Sequence, residues 1–492
     1  MEYTPSPTLL ADFYKLSHKA QYPLGTEYVY SVWIPRSTFL PVDYAVMFGL
    51  QAFIQRWLVD YFDTQFFGNP FAVVAEEYRR VVKSSLGVVS PEVQHWRDLH
   101  KLGYLPLRIK ALPEGMRVPL KVPMFTIENT HPDFFWLTNY IETLLSTEIW
   151  QPMTSATIAD QYRRLLTYYA EATGGDPETV LFQAHDFSMR GMAGAEAGAA
   201  SGAAHLLSFR GSDTIPAIGW LEYYYAADVT KELVAESIPA TEHSVMCAYG
   251  PQDEKEAYRH LLEEVYPTGF VSIVSDTYSL WKVLTKTLPA LKSSIMARDG
   301  RCVIRPDSGD PVKIICGDPE ATMREEQQGV ISLLWEQFGG TINTKGYKQL
   351  DSHIGAIYGD SITLARAEEI CSRLRDKGFA STNIVFGVGS YTYQMTSRDT
   401  LGFALKSTYV QVNGEERQIF KDPATDKAKL KKSPRGRVVV VGKGSDLRMI
   451  DGLNRMDQDQ YRLRDRLEVV FENGHQFHRQ SLLEIRERLH GS

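Results

Sequence analysis

The chain has 492 residues, of which 43% are hydrophobic and 23% are charged, as is typical of soluble globular proteins. Its formal net charge of -7 argues against wide contact with nucleic acid or anionic membrane surfaces, because proteins that bind such surfaces are usually basic. The 4 cysteines show no C-x-x-C spacing, so the sequence indicates neither a zinc ribbon nor a disulfide framework.

The N-terminus "MEYTPSPTLLADFYK" lacks the basic-then-apolar pattern of a signal peptide, and no window approaches about 18 uninterrupted apolar residues. We therefore predict a cytoplasmic protein that neither spans nor binds a membrane. The length allows two or three domains, although a single barrel takes up about 250 residues.

Residues 1–178 combine two kinds of hydrophobic pattern. Helix-like stretches such as "FGLQAFIQRWLVDYF" and "FWLTNYIETLLSTEIW" alternate with strand-like runs such as "TEYVYSVWI", "PLRIKAL" and "PMFTIEN". This mixture predicts an α+β arrangement in the first third of the chain.

Residues 179–399 repeat one pattern, in which a short apolar run ends in polar or glycine residues and a helix-like stretch follows. The runs are, in chain order, "VLFQAHDF", "LLSFRGSD", "ESIPATEH", "FVSIVSD", "RCVIRPDSG", "IGAIYGDS" and "NIVFGVGS". Amphipathic segments such as "EKEAYRHLLEEVY", "EEQQGVISLLWEQF" and "TLARAEEICSRLRDKGF" separate several of them. Buried strands that alternate with helices indicate a parallel sheet, and about seven such units predict a closed or nearly closed (β/α) barrel.

The segment after residue 400 returns to β patterns. "FALKSTYVQVNGEERQIFKDP" contains an Asn-Gly turn between two strand-like runs, and "RGRVVVVGKG" is a further short β run. We expect residues 1–178 and 400–492 to form one α+β domain that flanks the barrel of residues 179–399.

The strand ends of the barrel gather the polar residues of the middle region, and ligands bind at this end of such barrels. Asp307 and its neighbours could hold ribose hydroxyls, or a magnesium ion through water. Turns at Gly359 and at 387–389 allow backbone N–H groups to approach phosphate oxygens. Basic residues farther along could neutralise a second phosphate group, and they are Arg398, Lys406, Lys421 and Lys429. The set predicts a site for a phosphorylated sugar.

A series of short motifs runs along nearly the whole chain. They are "LLADFYKLSHKAQYP" (9–23), "GYLPLRIKALPEG" (103–115), "FTIENTHPDFFWLTNYIETLL" (125–145), "HDFSMRG" (185–191), "FRGSDT" (209–214), "PATEHS" (239–244), "VSDTY" (274–278), "IRPDSG" (304–309), "TKGYKQL" (344–350), "YGDSI" (358–362), "FGVGS" (386–390) and "FKDP" (420–423). In this order the motifs resemble those of the nicotinamide phosphoribosyltransferases, type II enzymes related to the nicotinate phosphoribosyltransferases.

The resemblance implies an enzyme that joins nicotinamide to 5-phosphoribosyl 1-pyrophosphate (PRPP), giving nicotinamide mononucleotide and pyrophosphate in NAD salvage. It also implies an irregular α/β barrel, a second domain built from both termini, and a head-to-tail homodimer with two shared active sites. The expected co-substrate is ATP and the expected cofactor is Mg2+, with no metal ligand assigned directly.

The resemblance further implies which residues bind the pyridine ring of nicotinamide. Phe187 and Tyr14 match an aromatic pair that stacks the ring, with Tyr14 supplied by the partner subunit. Arg190 matches a residue beside the carboxamide oxygen. Asp213 matches the carboxylate that accepts hydrogen bonds from the amide NH2.

The sugar and phosphate contacts are implied in the same way. Arg305 and Asp307 match ribose contacts. Gly359, Asp360 and Gly389 match turns around the ribose and its 5′-phosphate. The residues that match contacts to pyrophosphate and nucleotide phosphate are Arg36, which the partner subunit supplies, Arg398, Lys406, Lys421 and Lys429.

Two residues match a second chemical step. His243 matches a histidine that becomes phosphorylated when ATP is hydrolysed, and Asp276 matches the acid that orients it. Displacement of pyrophosphate at the anomeric carbon needs no strong base, because the pyridine nitrogen already carries a lone pair. We therefore expect His243 to attack ATP, so that its loss slows turnover without abolishing it.

Three other functions stay open from the sequence. A nicotinate phosphoribosyltransferase is opposed by Asp213, whose carboxylate would repel that of nicotinate. A metal-dependent barrel hydrolase is suggested by the acids and histidines, although no H-x-H or H-E-x-x-H pattern occurs. A non-catalytic binding or signalling protein on the same scaffold is the third.

Local alternatives stay open as well. Asp213 in "GSDTIPAIGW" also fits the N-cap of a helix, because Ser or Asp before an apolar run is a helix-start signal. The chain departs from the family at Ser390-Tyr391, where a glycine run is usual, and at Ser188-Met189, where Gly-Tyr is usual. Neither change removes a charged contact, so we expect activity with shifted affinities.

Overall fold

A computed structural model describes residues 4–87, 89–421 and 433–491. The chain divides into two compact units. Unit 1 contains the described residues of Met1–Thr157, Leu221–Ala227 and Thr396–Ser492. Unit 2 contains Ile158–Trp220 and Asp228–Met395. No helix among the described residues combines the length and the apolar character that crossing a bilayer requires.

The strands and helices are numbered in chain order. The strands are β1 (Thr26–Ile34), β2 (Tyr44–Val46), β3 (Leu107–Ala111), β4 (Arg117–Pro119), β5 (Phe125–Asn129), β6 (Ala184–Asp186), β7 (Thr268–Val274), β8 (Asp299–Arg305), β9 (Gly340–Ile342), β10 (Lys348–Leu350), β11 (Ile354–Tyr358), β12 (Ile384–Val388), β13 (Ala404–Val412), β14 (Glu415–Gln418), β15 (Arg437–Val441), β16 (Arg448–Leu453), β17 (Glu468–Glu472) and β18 (His475–Gln476). The α-helices are α1 (His18–Gln21), α2 (Leu50–Phe53), α3 (Phe71–Leu86), α4 (Gln94–Leu102), α5 (Leu137–Tyr140), α6 (Glu142–Thr173), α7 (Ala195–His205), α8 (Ile215–Tyr225), α9 (His243–Tyr249), α10 (Glu254–His260), α11 (Leu280–Lys282), α12 (Leu288–Ala290), α13 (Lys292–Ala297), α14 (Pro311–Cys316), α15 (Arg324–Gln328), α16 (Val330–Phe338), α17 (Leu364–Asp376), α18 (Ser390–Tyr393), α19 (Arg455–Gln460) and α20 (Leu482–His490).

Unit 1 is organised around a seven-stranded antiparallel sheet in the order β14-β13-β1-β5-β3-β17-β18. The pairing of β1 with β13 joins strands from opposite ends of the chain, with Tyr30 opposite Tyr409. The predicted Asn-Gly hairpin is confirmed, since Asn413 and Gly414 both adopt positive φ (51° and 77°) between β13 and β14.

Aromatic packing fills the core beneath this sheet. Trp33 of β1 is fully buried, and it stacks against Phe125 of β5 at 5.8 Å and against Phe403 at 5.3 Å between ring centroids. Each such pair contributes about 0.5–1.5 kcal/mol beyond the burial of its area. Residues from the N-terminal and C-terminal segments of unit 1 therefore share one core.

Unit 2 contains a five-stranded parallel sheet in the order β6-β12-β11-β8-β7. Helices α11 to α13 lie between β7 and β8, helices α14 to α16 between β8 and β11, and α17 between β11 and β12. Strands that follow each other through helical connections are thus neighbours in the sheet. This is a mixed α/β architecture with a parallel half-barrel sheet, which confirms the predicted alternation of parallel strands and helices.

Two of the seven predicted strands are not regular strands. The runs "LLSFRGSD" and "ESIPATEH" form only isolated parallel bridges, Asp186 to Ser212, Gly211 to Glu236 and Ala240 to Ser272. Glycine weakens strand conformation and proline has no N–H to donate, so Gly211 and the Pro239 beside Ala240 explain the short pairing. The bridges nevertheless lead from β6 through both segments to β7.

One ion pair inside unit 1 is almost completely removed from water. Arg437 of β15 donates a hydrogen bond from Nη2 to Oε2 of Glu128 at 2.7 Å, and the two side chains are 7% and 10% exposed. The guanidinium also lies 4.4 Å from the ring centroid of Tyr30. The pKa of Arg437 is raised, because the charges of Glu128 and Tyr30 outweigh the effect of burial, which lowers it.

We predict that Arg437→Met destabilises unit 1 by about 3 kcal/mol, because the Glu128 carboxylate is left buried without its closest cation. The exposed pair Arg417–Glu415 (45% and 67% exposed) supplies the control, and Arg417→Met is expected to cost less than about 1 kcal/mol. Denaturant unfolding of the three proteins measures both effects. Equal midpoints for the two variants would contradict the prediction.

Candidate active site

A cavity of 430 Å3 lies in unit 2 along the inner face of the parallel sheet. Alternate residues of β7 and β8 line it, namely Phe270 and Ser272 on β7 and Arg301, Val303 and Arg305 on β8. Gly355, Ala356 and Ile357 of β11 and Val385 of β12 complete this wall of the cavity. His185, Phe187 and Asp213 also line it, near the carboxyl end of β6. Two of the residues predicted to bind a pyridine amide, Phe187 and Asp213, therefore border one cavity.

The Asp213 carboxylate is held by two side chains. Oδ1 accepts a hydrogen bond from Nε2 of His185 at 2.9 Å and another from the hydroxyl of Ser237 at 2.5 Å. Burial alone would raise the pKa of Asp213, but these hydrogen bonds and the charges of His185 and Arg305 outweigh it, so the pKa is lowered. The lowered pKa keeps this carboxylate ionised at neutral pH.

The ring of Phe187 is packed closely against glycine backbone. A Cβ atom on Gly387 would lie 2.6 Å from Cδ2 of Phe187 and 2.8 Å from Cα of Gly359. The ring of Phe187 also approaches that of His185, with 4.8 Å between ring centroids and an angle of 44° between the ring planes. Only glycine at 387 leaves room for this ring beside the turn at Gly359.

Arg305, the last residue of β8, interacts with several charged side chains at the carboxyl ends of the parallel strands. Its Nη2 donates to the carbonyl oxygen of Thr241, and its Nε is buried without a hydrogen-bond partner among the described residues. Burial lowers the pKa of Arg305 and the charge of Arg190 lowers it further, against three carboxylates that raise it. Those carboxylates belong to Asp307, Asp213 and Asp276.

His243 is the first residue of α9, and it faces the predicted acid. Its Nε2 lies 3.3 Å from Oδ1 of Asp276, with the histidine side chain 48% exposed and the acid 7% exposed. The other oxygen of Asp276 accepts hydrogen bonds from the backbone N–H of Asp307 at 2.9 Å and from the hydroxyl of Ser308. Asp276 therefore ties the loop after β8 to the accessible imidazole.

The predicted ribose turns lie at the ends of β11 and β12. A Cβ on Gly359 would stand 2.8 Å from Oδ1 of Asp307, so this glycine allows the carboxylate to approach the backbone. Asp360 is exposed, and Ser361 after it has a φ of 49°. A Cβ on Gly389 would contact nothing within 4 Å, so packing of the protein itself does not require glycine there.

The predicted phosphate-binding cations belong to unit 1 and interact with one another. Burial lowers the pKa of Lys406, and the charges of Arg36, Lys421 and Arg398 lower it further. Arg36 is half-buried, its pKa is lowered by burial and by Arg398, and its Nε donates to the carbonyl of Gly402 at 2.8 Å. Like charges gathered this way favour a bound anion. Lys429, the fifth predicted member, lies outside the described residues.

Tyr14 also belongs to unit 1. Its side chain is 58% exposed, its ring packs edge-on against His18 at 4.9 Å, and the next residue, Lys15, forms an ion pair with Glu142. The ion pair anchors the backbone beside an aromatic ring that faces solvent.

Three side chains of the site carried no predicted role. His185 and Ser237 bond to Asp213, and Ser308 bonds to Asp276. Each stands inside a motif quoted above or beside one, but nothing in the sequence pairs residues 24 to 32 positions apart. The one feature of the sequence that could have identified these three residues is their position at the ends of predicted parallel strands.

Comparison with known proteins adds sequence relatives. The profile of the nicotinate phosphoribosyltransferase (NAPRTase) family matches residues 182–475, and that of the nicotinamide phosphoribosyltransferase N-terminal domain matches residues 7–65. The chain is 49% identical to the nicotinamide phosphoribosyltransferase of Acinetobacter baylyi, over 99% of this chain and 98% of that protein. It is 35% identical to that of Xanthomonas campestris pv. campestris, over 90% of this chain and 88% of that protein.

Solved structures share the fold at low sequence identity. The nicotinate-nucleotide pyrophosphorylase from Pyrococcus furiosus matches with a TM-score of 0.59 and 15% identity, over 99% of this chain and 96% of that chain. Human nicotinic acid phosphoribosyltransferase matches with a TM-score of 0.54 and 16% identity, over 98% of this chain and 93% of that chain.

We predict that Gly387→Ala destabilises unit 2 by about 1–3 kcal/mol, because the new methyl group overlaps the Phe187 ring and the backbone of Gly359. Phe187→Ala in the same chain is expected to recover part of the loss, since it removes one of the two clashes. Unfolding midpoints of the single and double variants measure this coupling.

Gly219→Ala is the control for that experiment, because a Cβ there would meet nothing within 4 Å and alanine favours the helix α8. It is expected to leave unit 2 equally stable or slightly more stable. A Gly387→Ala variant as stable as the control would contradict the close packing around Phe187.

Proposed function

Since the chain belongs to the nicotinamide phosphoribosyltransferases within the nicotinate phosphoribosyltransferase family, we propose that it joins nicotinamide to PRPP, giving nicotinamide mononucleotide and pyrophosphate. The ionised Asp213 in the cavity beside Phe187 is the observation that carries the choice of substrate. An uncharged pyridine amide fits this pair, because its ring can pack on Phe187 while its NH2 donates to the carboxylate.

Asp213 favours the amide over the acid on electrostatic grounds. Nicotinate carries a carboxylate where nicotinamide carries its amide, and two such charges about 4 Å apart repel by about 1–4 kcal/mol at surface-like dielectric values. Arg305 offsets part of this repulsion, since its charge also lowers the pKa of Asp213. The net preference for nicotinamide is the difference between the two effects.

The reaction needs alignment and charge neutralisation more than acid or base catalysis. The pyridine nitrogen attacks the anomeric carbon as the bond to pyrophosphate breaks, so positive charge develops on the sugar and negative charge on the leaving group. Asp307, which Asp276 holds through its backbone N–H, is proposed to bind ribose hydroxyls beside Arg305. The ribose 5′-phosphate is proposed to bind at the turns of Gly359, Asp360 and Gly389.

The unit 1 cations are proposed to hold the departing pyrophosphate. Four positive charges, those of Arg36, Arg398, Lys406 and Lys421, perturb one another, and an anion that neutralises them relieves this repulsion. Arg190 is proposed to stand beside the carboxamide oxygen, and Lys429 to join the phosphate contacts.

A homodimer is part of the proposal. Tyr14 and Arg36, together with the three other unit 1 cations grouped with Arg36, would then reach the partner subunit's site, with Tyr14 opposite Phe187 across the pyridine ring. The exposed ring of Tyr14 is available for such a contact.

The finer form of the fold is also proposed. The parallel strands would form a closed irregular barrel, which the bridges between β6 and β7 support. Segments from both termini would form a second domain, which the pairing of β1 with β13 supports. We also propose that the protein is located in the cytoplasm.

Magnesium is proposed to arrive with the diphosphate substrate. Mg2+ usually binds through one or two carboxylates together with substrate phosphates, and among the described residues no three His, Cys, Asp or Glu side chains group as metal ligands.

ATP is proposed as a co-substrate that phosphorylates His243. In this step Nδ1 of the imidazole, which carries the lone pair when Nε2 donates to Asp276, forms a bond to the terminal phosphorus while the bond to ADP breaks. The half-exposed imidazole is accessible, and Asp276 at 3.3 Å from Nε2 would fix the tautomer and stabilise the charged ring.

We predict that the purified protein forms nicotinamide mononucleotide from nicotinamide, PRPP and Mg2+, with a kcat/KM at least about tenfold higher for nicotinamide than for nicotinate. Asp213→Ser removes the repelling charge and should narrow this ratio. Product detection by chromatography, with each base tested alone, provides the measurement. Equal turnover of both bases would instead favour a nicotinate enzyme, and no product under any condition would refute the proposal.

We also predict that His243→Ala retains slow synthesis and loses both ATP stimulation and ATP hydrolysis, because the phosphorylated side chain is gone while the transfer site is intact. His260→Ala is the matched control, since that exposed histidine pairs with Glu264 on the neighbouring helix turn. Stimulation by ATP that survives in His243→Ala would show that the coupling uses another residue.

A further inference from the structure

We propose that His185 and Ser237 are positioning residues that fix the Asp213 carboxylate for amide recognition, and that they thereby set the preference for nicotinamide. This inference rests on the proposed function. Both donors bond to the same oxygen, Oδ1, at 2.9 and 2.5 Å, and the other oxygen of Asp213 accepts no hydrogen bond within the described parts of the chain. One oxygen is thus reserved for the protein and one is left for a ligand.

Two donors on one oxygen restrict a side chain that otherwise rotates. An aspartate accepts hydrogen bonds through both oxygens, and free rotation about its last bond would exchange them. With Oδ1 bonded from two directions, exchange would break two charge-assisted hydrogen bonds at once. A nicotinamide NH2 group then meets an acceptor that is already oriented, so less freedom is lost on binding.

His185 is itself held in place. It lies on β6, and its backbone pairs with Gly387 of β12. Its ring contacts Phe187, and a Cβ on Gly211 would stand 2.8 Å from Nδ1, so the glycine allows the imidazole to occupy this position. Donation to a carboxylate requires hydrogen on Nε2, so the bond to Asp213 also selects that protonation of the ring.

Ser237 is fixed by the backbone on both sides. It follows Glu236, which is bridged to Gly211, and it precedes Ala240, which is bridged to Ser272 of β7. The hydroxyl therefore reaches Asp213 from the segment opposite to β6. Because the two donors come from different segments, the carboxylate depends on both for its orientation.

Four variants distinguish loss of the hydrogen bond to Asp213 from a change in side-chain size. His185→Gln keeps an N–H donor at about the reach of Nε2, whereas the shorter His185→Asn does not. Ser237→Thr keeps the hydroxyl, whereas Ser237→Ala removes it. We expect His185→Asn and Ser237→Ala each to raise the KM for nicotinamide about tenfold and to narrow the ratio of nicotinamide to nicotinate turnover, as loss of a hydrogen bond to a charged group implies. His185→Gln and Ser237→Thr should stay within about threefold of the original protein.

The remaining readouts exclude a merely structural role. The KM for PRPP and the unfolding midpoint should change little, because the donors act on the amide end of the site. In an Asp213→Ala background, His185→Asn and Ser237→Ala should have no further effect on nicotinamide kcat/KM, since their common acceptor is absent.

Three outcomes would overturn the inference while leaving the proposed function standing. They are an unchanged KM for nicotinamide in both donor-free variants, an equal rise in the KM for nicotinamide and for PRPP, and effects of the same size with and without Asp213. If the original protein itself makes no mononucleotide, the proposed function fails first, and the two failures are thereby distinguished.

Discussion

The arrangement of charged side chains at the carboxyl ends of the parallel strands depends on the half-buried guanidinium of Arg305. Three carboxylates, from Asp213, Asp276 and Asp307, act on its charge, and one of its N–H groups holds the carbonyl of Thr241 just before His243. Removing this cation would leave the three carboxylates without the positive charge with which they interact. The Asp213 side and the His243 side of unit 2 are thus linked through one side chain.

Asp276 connects His243 to the loop that follows β8. It is nearly buried, and its two oxygens serve different partners, the imidazole of His243 on one side and the backbone of Asp307 on the other. A change in charge on the histidine is therefore felt at a carboxylate that also supports the loop proposed to bind ribose. Phosphorylation of His243 would in this way change the affinity for the ribose through Asp276, without a large movement of the loop.

The sequence predicted local structure well where the signal is local. "TEYVYSVWI" corresponds to β1, and β7, β8, β11 and β12 begin and end close to their apolar runs. The first residues of "VLFQAHDF" instead belong to a 3-10 helix (Pro177–Phe182), so β6 is shorter than its run. The prediction of one helix for "EEQQGVISLLWEQF" was wrong, because Gly329 adopts a φ of 78° and separates α15 from α16. Glycine at such a position costs no steric strain, and the sequence alone does not distinguish it from a glycine tolerated within a helix.

The site was predictable in its residue types and not in its contacts. Strand ends indicated where Asp276, Asp307 and His243 lie, and the resemblance supplied their roles. The bonds of Asp213 to His185 and Ser237 depend on the stagger between three extended segments, which no single-sequence pattern specifies. The cations of unit 1 likewise meet because β1 pairs with β13 across most of the chain.

That long-range pairing has a consequence for synthesis of the protein. Ile34 and Ala404 face each other in the sheet, so roughly 370 residues must leave the ribosome before β1 gains its second neighbour, which takes about 20 to 70 s at ordinary elongation rates. During that time the hydrogen-bonding edge of β1 is open to strands of other chains. Most of unit 2, between Ile158 and Met395, is translated in the interval. Low temperature and chaperone supply during expression should therefore matter more for unit 1 than for unit 2.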